Sequence, residues 1–423
     1  DELVDHPVEI AAFSATSFEA GGVVHDVVVS GRHRGDLPRL ARDLALICQC
    51  QIDLFGAPAG ARPPFERYLF QIAVVGDGYG GLEHRSSTSL LCRRSELPQP
   101  GVARVADGYR NLLGLASHEY FHSWQVKRIK PAAFVPYDLA REAYTRQLWA
   151  FEGFTSYYDD LTLVRSGVIG VDSYLELLGR TVTAVLRVPG RQRQSVAESS
   201  FDAWIKYYRQ DENTPNAVVS YYTKGSLVGL CLDLTLRAEG KTTLDAVMRR
   251  LWIRCDGGPM AEADLLAVLE QLSGRSYARE LAQWVHSTQD LPITTLLEKH
   301  GIQVHQEPNQ VAQQLGLRVK EGNGLFIQHV LRGGVAEQAG FASGDEWIAI
   351  QALGNSNSAW RLQSLDDFTL YAGNAKKVTA TVARDKRLLA LSLSLPKASQ
   401  AVRLAVRDAA LVDAWLAPQP DPQ

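Results

Sequence analysis

The sequence predicts an α+β fold: a small mixed sheet and a helical lobe form one unit, and a β-rich module follows. Three observations support this. Strand and helix signals alternate up to about residue 95, helical signals dominate from there to about 300, and strand-like runs return over 301–397. At 423 residues the chain has the length for two or three domains and a sizeable core.

Val8 to Phe18 and Val23 to Ser30 have strand character, the second through its β-branched run Val-Val-His-Asp-Val-Val-Val. Between Asp36 and Leu54, the residues Leu37, Leu40, Leu44 and Ile47 fall on one helical stripe. Arg67 to Val75 (RYLFQIAVV) is a bulky apolar run suited to a strand. The glycine-rich loop 76–81 then leads to Leu82-Glu83-His84 and a further strand ending near Cys92. A helix around HEYFH, a loop with Pro131 and Pro136, and a second helix from Leu148 through Asp159 follow. More helices are expected at about 172–187, 218–239, 242–254, 261–272 and 276–286. In the last module, strands are expected at Gly324 to Val330, Glu346 to Gln351, Lys377 to Ala383 and Leu388 to Leu395, with one helix near 364–372. The expected boundaries are therefore 1–300 (its sheet over 1–95, its helical lobe over 96–300), 301–397, and a tail over 398–423 that ends in a frayed APQPDPQ.

Hydrophobic content of 46% with 22% charged residues is ordinary for a soluble globular chain. A net charge of −3 without a long basic run argues against nucleic acid as a partner. The short clusters Arg32-His33-Arg34 and Lys127-Arg128-Ile129-Lys130 read as solvated loop or helix-end charge. No stretch approaches the ~20 apolar residues of a membrane span, so no membrane partner is expected. Five scattered cysteines (Cys48, Cys50, Cys92, Cys231, Cys255) contain no CxxC pair and do not form a disulfide framework. They favour a reducing, cytoplasmic compartment. Because the chain opens at Asp1 rather than Met, a periplasmic location after removal of an upstream segment is the alternative.

The chemistry centres on His118-Glu119-Tyr120-Phe121-His122. Histidines four apart on a helix project from one face, which is what a single Zn²⁺ needs from two imidazoles. Glu119 is then placed to act on a metal-activated water. Gly114, one turn before His118, leaves little bulk on that face. A third ligand could be a further histidine, a carboxylate on a following helix, or absent. Neither His nor Asp occurs in the fifteen positions after His122. Glu152 lies 30 positions on, in a helical run among Trp149, Phe151 and Phe154, poor company for a solvated carboxylate. It is the expected third ligand. Asp159, two turns further along the same face, could hold the outer nitrogen of a ligand histidine, with Asp160 as the competing choice.

HEYFHSW, the KRIKP run from Lys127 and WAFEGFTSYYDDL from Trp149 together resemble the glycyl aminopeptidase family of gluzincin zinc metallopeptidases. The resemblance runs over nearly the whole chain and implies a thermolysin-like catalytic domain. The family's N-terminal all-β domain has no counterpart here, so it is an expected cis partner of a shortened, processed or partial chain. Gly80-Gly81-Leu82-Glu83-His84 is similar to the G-x-M-E-N loop of the larger zinc aminopeptidases, with Leu82 for Met and His84 for Asn. That likeness implies that Glu83 binds the substrate's free α-amine and that Gly81 and Leu82 border the peptide. Tyr222-Thr223-Lys224-Gly225 is similar to their Y-x-K-G motif and implies that the Tyr222 hydroxyl stabilises the oxyanion.

Residues 323–345 (NGLFI, then GVAEQAGFASGD) resemble a PDZ domain. Gly324, Leu325 and Phe326 are the expected carboxylate loop for a peptide C-terminus, with the helix near 364–372 as the opposite wall. The resulting expectation is a zinc aminopeptidase acting on peptides with a free N-terminus and a small first residue such as Gly. The alternatives are a zinc endopeptidase and a PDZ-based binding protein with an inactive peptidase-like core.

Overall fold

The structure is a computed structural model that describes residues 6–56, 62–308, 310–352, 358–395 and 400–417. Its first sheet is built from β1 (Phe13–Ala20), β2 (Val23–Ser30), β3 (Arg67–Val75), β4 (Gly80–Glu83) and β5 (Ser87–Arg93), in the order β1-β2-β3-β5-β4. The pairs β2–β3 and β3–β5 are parallel; β1–β2 and β4–β5 are antiparallel. The first strand begins at Phe13 rather than Val8, since Val8 and Ile10 are exposed and have no apolar face to cover. On β3, Tyr68, Phe70, Ile72 and Val74 alternate into the core. The short β4 is an edge strand, and two of its four residues are the glycines expected to lie in a loop.

Helix α1 (Leu37–Gly56) crosses between β2 and β3 and buries Leu40, Leu44, Ile47 and Ile52 along one stripe. Helix α2 (Asp107–Phe121) carries the HEYFH motif beneath the sheet. It is followed along the chain by α3 (Leu148–Arg165), which packs against it, and by α4 (Val171–Arg187), α5 (Thr223–Glu239), α6 (Leu244–Cys255) and α7 (Glu262–Ser273), close to the expected spans. Short helices at Val196–Phe201, Thr214–Ala217 and Ile293–Lys299 and a π-helical turn at Ala203–Tyr207 are additions to the expected set. No helix among the described residues is long and apolar enough to cross a membrane.

A second hydrophobic core, Leu315 to Leu393, organises the last module. Its strands β7 (Leu317–Glu321), β8 (Leu325–Val330), β9 (Glu346–Ala352), β10 (Lys377–Arg384) and β11 (Arg387–Ser394) follow β6 (Ile302–Pro308), and the sheet order is β11-β10-β9-β8-β7. Helix α8 (Leu365–Ala372) lies beside it. The carboxylate-loop role expected for Gly324, Leu325 and Phe326 needs correction. The strand it opens, β8, is paired with β7 on one edge and with β9 at Phe326↔Glu346 on the other. A strand flanked on both sides has no row of free amides for a peptide. The Glu346 carboxylate also lies against Gly324, 3.2 Å from where a Cβ would be.

The stretch expected as a tail comes back to the first unit. There β12 (Gln400–Val406) pairs with β6, and helix α9 (Ala409–Leu416) places Val412, Trp415 and Leu416 in the first core. Arg165 donates to the Leu416 carbonyl at 2.9 Å and ion-pairs with buried Asp245 at 3.0 Å. APQPDPQ begins at Ala417, the last described residue, and the rest of it lies outside the described residues. The two units also meet at Asn216, whose amide donates to Val330 O at 2.9 Å and accepts from Arg332 N at 2.8 Å.

Candidate active site

Helix α2 presents two faces at its C-terminal end. Tyr120 and Phe121 point into the core, where the Tyr120 hydroxyl meets His25 Nε2 at 2.8 Å. His118 and His122 point the other way, with ring centroids 4.8 Å apart and planes at 85°. The helix end is fixed from several sides. Gln51 of α1 donates to the Ser117 carbonyl and hydroxyl at 2.8 and 2.9 Å. Arg128, from the KRIKP run, donates to Ser123 O at 2.7 Å.

The outer nitrogen of each histidine is engaged, which leaves Nε2 free to face the site. His118 Nδ1 lies 2.9 Å from Asp159 Oδ2, so the carboxylate expected two turns after Glu152 does reach it. His122 Nδ1 lies 2.7 Å from the Gln125 carbonyl, and the Gln125 side chain donates to Ala150 O at 2.9 Å. Gln125 thus joins one histidine to the helix that carries Glu152. Both Nε2 atoms are 3.3 Å from Glu152 Oε2. Tetrahedral ligands about 2.0–2.1 Å from a Zn²⁺ sit about 3.3 Å apart, so the residues present fit the ion.

Electrostatics lead to the same conclusion. Burial alone would raise Glu152, but the two imidazoles outweigh it and hold the carboxyl well below its usual range. Burial opposes charging His118, yet its hydrogen bonds to Asp159 and Glu152 hold its pKa well above the ordinary value. Glu152 is thus held ionised between the two imidazoles, a buried negative charge that a cation could meet. Glu119 behaves differently. Burial pushes its pKa up to about 7 against the pull of both histidines, with Glu83 and Glu152 adding to the rise. Such a carboxyl can hold and release a proton near neutral pH.

Glu83 is on the edge strand β4, and its carboxylate, Glu119 and His122 offer ligand atoms within 4.8 Å of one another. Gly81 is pressed against Glu119: a Cβ there would meet Glu119 Oε1 at 2.2 Å. Leu82, between them, is 58% exposed and contributes its backbone rather than its side chain to this edge. A cavity of about 550 Å³ continues from the cluster past Gly81, Gly80 and Tyr79 on the strand side. Its opposite wall includes His118, Asp159, Asp160, Tyr208 and Tyr222.

Tyr222 reaches this wall because two helices cross at glycines. A Cβ on Gly153 would lie 2.5 Å from Gly225 C, and one on Gly225 would lie 2.8 Å from Trp149 O. Helices α3 and α5 therefore touch backbone to backbone, which sets the tyrosine at the head of α5 beside Glu152. His118 and Tyr222 have ring centroids 6.1 Å apart.

A profile of the M61 glycyl aminopeptidase family matches residues 111–228. The crystal structure of the aminopeptidase N family protein from Idiomarina loihiensis is similar to this chain with 37% identity and a TM-score of 0.88, covering 96% of this chain and 71% of that one. The chain belongs to the gluzincin aminopeptidase family. The chemistry of the family, and of this gluzincin, is peptide hydrolysis. An M1 zinc metallopeptidase from Deinococcus radiodurans matches at 15% identity and a TM-score of 0.45, over 66% of this chain and 53% of its own, too weak a likeness to bear on mechanism. No curated protein matches the chain. In this gluzincin, sequence reasoning missed Gln125 and Tyr208. Gln125 acts through a backbone carbonyl, which has no residue signature, and Tyr208 follows a π-helical turn without a readable period.

Proposed function

We propose that the chain is a zinc-dependent aminopeptidase that removes single N-terminal residues, small ones such as Gly in preference, from peptides. The observation that carries this reading is Glu83. Its carboxylate stands beside Glu119 and His122 at the end of an open strand edge. A peptide lying along that edge would bring its ammonium to Glu83, which leaves one residue ahead of the scissile bond. The Gly preference rests on the family description alone.

His118, His122 and Glu152 would hold the zinc ion, which when bound supplies Lewis-acid polarisation of the scissile carbonyl and a more acidic attacking water. Glu119 accepts the proton of that water and passes it to the leaving amine. The Tyr222 hydroxyl donates to the developing oxyanion. Asp159 and the Gln125 carbonyl fix the tautomers of the two histidines. In the second unit, the β7 edge beside α8 is the better candidate for a PDZ-like peptide groove; Leu365 N donates to Glu321 Oε1 there at 2.8 Å.

The test compares a Gly-initiated peptide with its N-acetylated form, with and without chelator. Cleavage confined to the free amine, abolished by chelation and restored by zinc, is expected. Comparable kcat/KM on the acetylated peptide overturns the reading in favour of an endopeptidase.

A further inference from the structure

Tyr222 has a partner that no motif announces. Its phenol oxygen lies 2.8 Å from that of Tyr208. Tyr208 follows the π-helical turn Ala203–Tyr207, which closes through Tyr208 N to Ala203 O at 2.9 Å. The extra residue in that turn brings Tyr207 and Tyr208 into the cavity wall. Although Tyr208 is 54% exposed, it is held from two sides. Trp204 stacks on its ring at 5.2 Å, and Tyr207 meets it edge-on at 5.4 Å. Tyr207 is fixed in turn by Ser220, whose Oγ lies 3.3 Å from the Tyr207 hydroxyl and also accepts from Thr223 N.

Proton counting gives the contact a direction. A phenol has one proton to donate and lone pairs to accept with. In the resting site either hydroxyl can serve as donor to the other. When Tyr222 donates its single proton to an oxyanion, the contact survives only if Tyr208 donates to Tyr222. Tyr208 can do so with its own single phenol proton. Hydrogen bonds in such a chain polarise one another, so the donor at its end becomes stronger.

We propose that Tyr208 is a positioning residue: it donates its phenol proton to the Tyr222 oxygen and thereby turns the single O–H of Tyr222 toward the reacting carbonyl. The inference rests on the reading of Tyr222 as oxyanion donor. Without Tyr208, that O–H could turn away from the substrate, toward the Tyr221 hydroxyl beside it among other acceptors. With Tyr208 in place, the rotation is penalised before substrate arrives, and the benefit is larger in the transition state than in the ground state.

The test is a double-mutant cycle on the metal-loaded chain with Tyr208→Phe, Tyr222→Phe and both together. Two readouts are taken: kcat and KM on a free-amine peptide, and calorimetric affinity for a phosphinic peptide carrying a tetrahedral anion, set against affinity for a product dipeptide. Tyr208→Phe is expected to lower kcat by about 3- to 10-fold with KM within about twofold. Phosphinic peptide affinity should fall by a similar factor while product affinity holds. In the Tyr222→Phe background the second substitution should cost less than about twofold, because its route of action is gone. Equal losses in both backgrounds, a loss carried by KM, or a silent Tyr208→Phe beside a damaging Tyr222→Phe would each overturn the relay while leaving the oxyanion role intact. Undiminished kcat in Tyr222→Phe would overturn that role and the relay together. Where Tyr222→Phe turns over too slowly to time, the phosphinic-peptide cycle decides between the same outcomes.

Discussion

Gly81 and Glu119 are in backbone-to-carboxylate contact: a single methyl on the strand would sit 2.2 Å from Glu119 Oε1. The edge that would pair with substrate and the base that would activate water therefore share one surface. Neither can shift without the other. Gly81→Ala is expected to push the carboxylate off its line and lower kcat/KM by about 100-fold. Stability should scarcely change, because β4 is an exposed edge strand. Kinetics paired with a thermal melt check this; an active variant would mean that the two groups move independently.

Asp159→Asn addresses the support of the metal cluster. The carboxylate accepts from His118 Nδ1 at 2.9 Å and from Asp160 N at 2.5 Å. An amide in its place keeps the shape, but loses the charge that makes the imidazole a better donor to a cation. Zinc affinity should weaken by about 10- to 100-fold, measured by competition with a chromogenic chelator. Unchanged affinity would reduce Asp159 to a packing role.

Much of this site was legible because it is carried by periodic structure. His118 and His122 are one helical turn apart and Glu152 and Asp159 two, and helices α2 and α3 lie where the sequence reading placed them. Glu83 and Tyr222 were legible only by likeness to longer motifs, since a tyrosine ahead of a helix carries no chemistry by itself. Gln125, Tyr208 and the β7 edge were not legible. They depend on a carbonyl, a π-helical turn and a strand order, none of which residue identity encodes. The return of β12 and α9 to the first unit was hidden for a similar reason, because its partner strand lies about a hundred residues earlier in the chain.

Gly225 shows how a motif glycine can act at one remove. It permits the crossing with Gly153 that seats Tyr222, while itself lining no part of the cavity. Gly225→Ala would drive a methyl to 2.8 Å from Trp149 O. Overpacking of this kind costs about 1–3 kcal/mol, so denaturant unfolding should move to lower concentrations. Activity should fall with it, by at least about tenfold, as α5 is displaced from α3. The combined loss separates this glycine from Gly81, whose substitution should affect activity alone.

His25 provides a pH test of the scaffold behind the site. It is fully buried, with Nδ1 2.9 Å from Val23 O and Nε2 2.8 Å from the Tyr120 hydroxyl. These contacts fit the neutral ring with the proton on Nδ1, donating to the carbonyl and accepting from the phenol. Burial pushes its pKa down from 6.5 to about 4, against the smaller upward pull of the Val23 carbonyl and Asp26. Because the folded pKa is depressed, the unfolded chain binds more protons through that interval. The contribution to stability is therefore complete above about pH 6.5 and is lost as the pH falls toward 4, by about 3 kcal/mol at most. His25→Gln removes the titration while keeping a polar group near Tyr120. Urea unfolding of both proteins at pH 7, 5.5 and 4 should show the stability difference between them shifting by up to that amount, in favour of the variant as the pH falls. Taking the difference at each pH cancels what the two chains share, including any loss of metal. Parallel curves would mean that His25 is not held neutral in the fold.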